Sequence, residues 1–88
     1  MDQTIAIFKA LADDTRLKIA VFLASRKELS CKELSKNFNL SQPTLSHHFR
    51  KLILSGIILE RKEGVSHYYR INHQLLKKSG MDLKALEI

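Results

Sequence analysis

The stretch "SQPTLSHHFRKLILSG", Ser41 to Gly56, carries a helix start, an apolar stripe and a helix stop in the right order. Ser41 is a residue type that caps helix N-termini, and Pro43 falls in the first turn, where its missing N–H costs nothing. Gly56 suits the left-handed end of a helix. Three apolar residues recur at the spacing of one helical face, namely Leu45, Phe49 and Leu52. The stretch therefore predicts a capped, amphipathic helix.

A shorter helix is predicted immediately upstream. "SCKELSKNF" opens with Ser30, and Glu33 three residues later completes a capping box. Leu34 and Phe38 supply its apolar face. Because only a few residues separate this helix from Ser41, the pair predicts a helix-turn-helix motif.

Two further helices are predicted before this motif. "DQTIAIFKALA" has one apolar stripe flanked by two further apolar residues, in the order Ile5, Phe8 and Ala12, then Ile7 and Leu11. In "DDTRLKIAVFLASRK", Asp13 or Asp14 can cap the helix. Its predicted inward stripe consists of Leu17, Ala20, Val21 and Ala24.

The C-terminal third changes character. Two β-rich runs, 57–62 and 65–71, flank Glu63 and Gly64, which predicts a β-hairpin. The last stretch, "NHQLLKKSGMDLKALEI", predicts a helix over about residues 73–88 with Asn72 as its cap. Its apolar stripe is Leu75, Leu76, Leu83 and Leu86. The expected fold is mainly α with a β-hairpin, a winged helix-turn-helix in the order α1-α2-α3-α4-hairpin wing-α5.

Composition indicates one domain, residues 1–88, with an ordinary hydrophobic fraction of 44%. No apolar run is long enough to span a membrane, and the single cysteine, Cys31, fits a reducing cytoplasm. The net charge is +6, and residues 41–70 hold five basic against two acidic side chains. This excess suits a polyanion such as nucleic acid, although a solubilising surface explains it equally well.

The residues "LADDTRLKIAVFL" and "LSQPTLSHHFRKLILSGIILERKEGVSHYYRI" resemble the ArsR/SmtB family of bacterial repressors over about residues 8–71. The resemblance implies a cytoplasmic homodimer that binds double-stranded operator DNA. It also implies that the terminal helices, about residues 2–12 and 73–88, form the dimer interface. The apolar residues expected there are Ile5, Phe8, Leu75, Leu76, Leu83 and Leu86.

The helix that begins after Ser41 is the expected recognition helix, whose N-terminal residues meet base edges in the major groove. Gln42 and Thr44 suit base contacts, and Arg50 and Lys51 suit either bases or phosphates. Ser41, Ser46 and His48 are candidates for phosphate contacts, with a half-buried, hydrogen-bonded His48 next to Phe49 as the alternative. Arg61 and Lys62 at the wing are expected to reach phosphates or the minor groove. The complete set of expected DNA contacts is Ser41, Gln42, Thr44, Ser46, His47, His48, Arg50, Lys51, Arg61 and Lys62.

Adjacent histidines are also residues of the type found in metal sites and catalytic sites. Helical neighbours point about 100° apart, so His47 and His48 cannot both bind one metal ion from a helix. A catalytic histidine needs an activated nucleophile, and Cys31 has no evident partner. We therefore expect no metal, no cofactor and no enzymatic activity. Cys31 is expected to pack as a small residue, with a redox role the less favoured alternative.

Many members of the family bind metal through a Cys-x-Cys pair on the third helix. The corresponding positions in "ELSCKEL" are Ser30 and Lys32, so the thiolate pair is absent. A second family site requires histidines on the last helix, where this chain offers Asp82 and Glu87 but no histidine beyond His73. The predicted repressor is therefore not metal-responsive. The sequence leaves open whether a small molecule or a protein acts as an effector.

Together these features predict a homodimeric repressor acting on a pseudo-palindromic operator. A winged-helix protein-interaction module that never touches DNA is the alternative from another class. RNA is a poor fit, because the deep, narrow groove of an RNA duplex does not admit a helix. Salt sensitivity separates the first two, since phosphate contacts make affinity fall steeply with salt.

Overall fold

The computed structural model describes residues 2–87, and Ile88 at the end of the predicted last helix lies outside this range. The elements follow the predicted order with one added strand and a shorter C-terminal helix. In chain order they are α1 (Asp2–Leu11), α2 (Asp14–Ala24), β1 (Leu29–Ser30), α3 (Cys31–Phe38), α4 (Gln42–Leu54), β2 (Ile58–Glu63), β3 (Ser66–Ile71), α5 (His73–Lys78) and a 3₁₀ helix (Leu83–Leu86). The predicted winged helix-turn-helix architecture is confirmed.

Side-chain caps start the helices where the sequence predicts. The Asp13 Oδ2 atom accepts a hydrogen bond from the Arg16 backbone N–H at 2.9 Å, which selects Asp13 over Asp14 as the cap of α2. The Ser30–Glu33 capping box of α3 is complete, with bonds of 3.1 and 2.9 Å. Each cap satisfies N–H groups that the helix itself leaves unpaired.

The wing is an antiparallel hairpin of β2 and β3, in which Ile58 faces Ile71 and Glu60 faces Tyr69. β1 extends the sheet on the other side of β3, so the order is β1-β3-β2. A two-residue strand is too short to show an alternating pattern, and β1 was not predicted. It ties the segment before α3 to the wing, so the motif and the hairpin are one rigid unit.

Gly56 makes the turn from α4 into the wing. Its φ is +86°, a left-handed conformation that glycine adopts without strain. A Cβ atom at this position would lie 2.9 Å from the Leu75 Cδ2 atom. The predicted left-handed helix end is confirmed, and the turn also leaves room for α5 to pack against it.

The apolar face of α4 forms the centre of the core. Phe49 is 1% exposed and stacks on Tyr69 of β3, with ring centroids 4.0 Å apart. Leu45 and Leu52 are fully buried on the same face. A packed aromatic pair therefore joins α4 to the wing.

The buried face of α2 is rotated from the predicted stripe. Its buried residues are Ile19, Ala20, Leu23 and Ala24, whereas the predicted Leu17 and Val21 are half-buried. Because α2 packs against α1, α4, β3 and the 3₁₀ helix, its buried arc is wider than a single stripe.

The prediction of one helix over residues 73–88 is wrong. α5 ends at Lys78, and Gly80 follows with a φ of +76°, which no helix continues through. Asp82 then caps the short 3₁₀ helix. Leu76 and Leu83 are each 3% exposed and belong to the core. Within residues 2–87, no helix has both the length and the apolar character needed to cross a bilayer.

Candidate nucleic-acid interface

The exposed face of α4 is polar from Gln42 to Lys51. Leu45, Phe49 and Leu52 turn inward, His48 and Ile53 are half-buried, and Leu54 is an exposed apolar residue at the end of the helix. The sequence prediction for which residues are exposed is confirmed for Gln42, Thr44, Ser46, His47, Arg50 and Lys51. Their contact with DNA stays a prediction.

Ser41 is engaged at the start of α4. Its Oγ atom accepts from the Thr44 N–H at 3.3 Å and donates to the Thr44 Oγ1 atom at 3.0 Å. The Ser41 hydroxyl is therefore committed to capping, while the Thr44 hydroxyl keeps its proton free to donate. The pair fixes the first turn, from which Gln42 projects into solvent.

His48 lies away from the exposed face of α4. Its side chain is half-buried, with Nδ1 3.9 Å from the Asp13 Oδ2 atom at the start of α2. Nδ1 has no hydrogen-bond partner within residues 2–87. The pKa of Asp13 is lowered, first by the Arg16 backbone N–H and then, against the opposing effect of burial, by the charges of Arg16 and His48. His48 thus lies between α4 and α2, where an outside phosphate has little access.

The two predicted wing contacts have different surroundings. The Arg61 guanidinium donates to Glu28 at 3.1 and 2.8 Å and also to Glu63, and it lies 4.6 Å from the centre of the Tyr68 ring. The hydrogen bonds that Arg61 donates to Glu28 and then to Glu63 raise the pKa of Arg61, and the hydrogen bond from Arg61 lowers the pKa of Glu28. The charge of Arg61 is therefore balanced by carboxylates, and its contact with Glu28 joins the wing to the segment before β1. Lys62 is exposed and forms no ion pair within residues 2–87.

A cleft of about 660 Å³ separates α4 from the wing. Gln42, Ser46 and Arg50 line one wall, and Ser66 and His67 line the other. A single sugar–phosphate strand separates the major groove of a duplex from the adjacent minor groove. A helix in one groove and a wing in the next would enclose that strand in such a cleft.

Lys32, Ser66 and His67 line this cleft but are not among the DNA contacts expected from the sequence, although Ser66 and His67 belong to the predicted wing. Lys32 lies in the first turn of α3, and the cleft forms only because β3 returns past that turn. The His67 Nδ1 atom is 2.9 Å from the Glu60 Oε2 atom, so the one carboxylate lining the cleft has a basic neighbour. The alternation of the hairpin places His67 on the face of Tyr69, which could have indicated its position.

The third-helix positions that hold metal in the family do not fit a metal ion here. The Ser30 hydroxyl accepts the N–H of Glu33 as part of the capping box, and Lys32 is a cation. Burial raises the pKa of the Cys31 thiol, with a further contribution from Glu60, which disfavours the thiolate that metals bind. Within residues 2–87, no group of three or more His, Cys, Asp or Glu side chains is placed to hold an ion.

These elements define a class. α3 and α4 form a helix-turn-helix, and the β2–β3 hairpin beside α4 forms the wing of a winged helix-turn-helix protein. Residues 13–59 match the family described as "Bacterial regulatory protein, arsR family". The chain belongs to this family, and the resemblance seen in its sequence is confirmed.

Known proteins share both sequence and fold with this chain. The arsenical resistance operon repressor of Staphylococcus aureus is 40% identical over 70 residues, covering 80% of this chain and 66% of that protein. HlyU from Vibrio cholerae matches with a TM-score of 0.83 at 32% identity, covering 97% of this chain and 88% of that one. The homodimeric winged helix-turn-helix DNA-binding domain Mb0332 from Mycobacterium bovis matches with a TM-score of 0.78 at 29% identity, covering 90% and 73%.

The matched relatives are regulators, and several are longer than the matched region. The chain spans 66% of the staphylococcal repressors and 54% and 60% of two arsenic resistance regulators of Pseudomonas putida. These proteins are named as repressors or transcriptional regulators, in agreement with the prediction that the chain is not an enzyme.

Proposed function

We propose that this chain binds duplex DNA sequence-specifically as a homodimer and represses transcription from a pseudo-palindromic operator. The observation that carries the proposal is the exposed polar face of α4, placed beside a wing across an open cleft. Arg50, Lys51 and Lys62 form no ion pair within residues 2–87, so their charges are available to phosphates. The names of the family relatives support the same activity.

Within this proposal the residues of α4 have different roles according to their position along the helix. Gln42 and Thr44, at the leading end, read bases, because an amide pairs with adenine and a hydroxyl with several base edges. Ser46, His47, Arg50 and Lys51 follow along the helix and contact the backbone or the groove edge. Ser41 and His48 instead hold the helix, since the first is a cap and the second faces α2.

The wing and the cleft supply the remaining contacts. Lys62 reaches the backbone or the minor groove, and Lys32 contacts the strand that passes through the cleft. Arg61 positions the wing through Glu28 and does not itself bind DNA, because releasing it would leave two carboxylates uncompensated. A tethered wing loses little freedom on binding, which favours affinity.

The dimer is proposed to form through the terminal segments. Ile5 and Phe8 of α1 are 49% and 57% exposed, and Leu86 of the 3₁₀ helix is 54% exposed. Exposed large apolar side chains on a small domain are typical of an interface. Leu75 is half-buried and can contribute at the edge, whereas Leu76 and Leu83 support the interface from within the core.

The mechanism of repression is steric. A two-fold dimer presents two α4 helices to successive major grooves, about 34 Å apart along the duplex. Each half-site receives one helix and one wing, and the bound dimer excludes the polymerase from the promoter. Release by metal is not part of the proposal, because Ser30 and Lys32 replace the thiolate ligands.

Selection of bound fragments from random duplex DNA tests this function and returns the operator. We expect enriched sequences with dyad symmetry and half-sites one helical turn apart. A variant with Gln42→Ala and Thr44→Ala is the matched control, since it keeps every charge and should lose the enrichment. Failure of the native chain to enrich any sequence would favour the protein-interaction module instead.

A further inference from the structure

A second basic concavity, here called the lateral groove, lies between the end of α2, the base of the wing and the C-terminal segment. Its volume is about 450 Å³. Its basic side chains come from the turn after α2, from β3, from α5 and from the 3₁₀ helix: Arg26, Lys27, Arg70, His73 and Lys84. Three separate parts of the chain thus bring lysine and arginine side chains to one place, and α5 adds His73.

The lateral groove is on the opposite face of the sheet from the recognition helix. Phe49 of α4 stacks on Tyr69, so α4 covers the face to which Tyr69 points. Successive residues of a strand point to opposite faces, and Arg70 therefore points away from α4. Leu59, which pairs with Arg70 across the hairpin, shares this second face and lines the groove. A duplex read by α4 lies on the other side of the sheet.

No aspartate or glutamate among residues 2–87 lines the lateral groove. Within residues 2–87, Lys27, Arg70 and Lys84 form no ion pair. Glu28 is near enough for Arg70 to help lower its pKa, but it is held by Arg61.

Arg26 is the one partly compensated cation of the groove. Its guanidinium lies 3.6 Å from the centre of the Phe22 ring and 3.7 Å from the Glu87 carboxylate. The Glu87 carboxylate also accepts a hydrogen bond from the Ser25 hydroxyl at 2.8 Å. Arg26 is therefore fixed in place at the edge, while the other cations keep free donors.

We propose that the lateral groove binds a compact multivalent anion, of the phosphorylated or polycarboxylate class. Converging cations without counter-charges repel each other, and an anion with several charges relieves that repulsion at several donors together. The Arg70 guanidinium can donate two parallel hydrogen bonds to one phosphate or carboxylate, and Lys27 and Lys84 add point charges. The volume falls within the range of small-molecule sites.

The test is isothermal titration calorimetry of the full chain at constant ionic strength, with pyrophosphate and citrate as probes. The groove variant is the double substitution Arg70→Gln and Lys84→Gln. The matched control is Lys18→Gln and Lys36→Gln, which removes two exposed lysines outside the groove. Thermal unfolding of both variants verifies the fold, and since all four side chains are exposed, both should fold.

We expect saturable binding of at least one probe, weakened roughly tenfold in the groove variant and less than about twofold in the control. Absence of saturable binding overturns the proposal, as does an equal loss in the two variants, which would indicate nonspecific charge. A duplex-binding arm without probe distinguishes DNA as the occupant. Weaker duplex binding by the groove variant than by the control, without probe binding, would assign the groove to DNA and also overturn the proposal. Because the probe titrations contain no DNA, failure of the proposed repressor function leaves their result intact.

Discussion

The outer faces of α4 and α1 differ in polarity and therefore suit different kinds of partner. The outer face of α4 presents amide, hydroxyl and basic groups, which water satisfies until a duplex replaces it. The outer face of α1 presents Ile5 and Phe8, which water does not satisfy. The polar face suits a partner that binds reversibly, and the apolar face suits a partner that remains bound.

The two faces also differ in how readily the sequence reveals them. On α4 the apolar Leu45, Phe49 and Leu52 are buried and most polar residues are exposed, so one periodic pattern largely separates them, with Leu54 and His48 as exceptions. On α1 both sides are apolar, and Ile7, Ala10 and Leu11 form the buried side. Periodicity predicts that α1 is a helix, but the packing of the folded chain is needed to tell which of its apolar residues are exposed.

The largest effect is expected from removing the apolar face of α1. The double substitution Ile5→Ser and Phe8→Ser should yield a folded monomer, because both side chains are largely exposed in the single chain. Operator affinity should fall roughly 100-fold, since two linked half-site contacts become independent. Analytical ultracentrifugation and fluorescence anisotropy measure the two consequences.

The matched control for that variant uses apolar side chains exposed elsewhere. Leu54 and Val65 are 79% and 96% exposed, at the end of α4 and the tip of the wing. Their double substitution by serine should leave the dimer intact. A dimer that survives the loss of Ile5 and Phe8 would move the interface away from α1.

The next largest effect compares a substitution on the outer face of α4 with one in the lateral groove. Arg50→Ala should weaken operator binding by about 1 to 3 kcal/mol and reduce the salt slope by about one, as expected for a lost phosphate or base contact. Arg70→Ala removes the same side chain from the opposite face of the sheet and should change affinity less than about twofold. Anisotropy titrations at several salt concentrations measure both. Equal losses would contradict the division between the two faces.

A smaller effect is expected at the start of α2, which packs against α4. The pKa of Asp13 is lowered in the folded chain, chiefly by the Arg16 N–H. Its contribution to stability is therefore present above its unfolded pKa and is lost as the pH falls through its folded pKa. Asp13→Asn keeps a capping oxygen and removes the negative charge at the helix N-terminus, so it should cost roughly 0.5 kcal/mol at pH 7, and the loss should shrink below about pH 4.

Urea unfolding of Asp13→Asn at pH 7 and pH 3 makes this measurement. Asp14→Asn is the control, since its ion pair with Lys18 is at the surface and should contribute less than about 1 kcal/mol. A pH-independent difference between Asp13→Asn and the native chain would show that the carboxylate charge is not what stabilises α2.

No effect is expected from zinc. Stoichiometric zinc should neither bind tightly nor release the operator, because Ser30 is committed to the capping box and Lys32 is a cation. Calorimetry and anisotropy measure binding and release. Tight binding with loss of the DNA complex would identify ligands other than those of the third helix.

Local signals predicted the helix that carries the candidate site, and long-range contacts explain what they missed. Ser41, Pro43 and Gly56 fixed α4, because caps and stops act within one turn. The pairing of Arg61 with Glu28 joins residues 33 positions apart, and no local pattern announces it. The prediction of a continuous last helix failed because Leu83 and Leu86 match the stripe of α5 across the left-handed Gly80.

The cleft shows the same limit. The outward positions of α4 follow from one helix, whereas Lys32 and His67 join them only after β3 pairs with β1 and β2. His48, by contrast, is half-buried next to Phe49, and only the fold shows that its neighbour is Asp13 at the start of α2. Chemistry within one element can be predicted from sequence, and chemistry between elements requires the fold.

The central claim is that paired α4 helices hold one duplex through charges that are free in the unbound chain. The most direct test measures the stoichiometry and affinity of the complex with a selected duplex between 50 and about 300 mM salt, by sedimentation and anisotropy. The account predicts two chains per duplex and an affinity whose logarithm falls steeply and linearly with the logarithm of salt concentration. One chain per duplex, or an affinity that salt does not change, would contradict it.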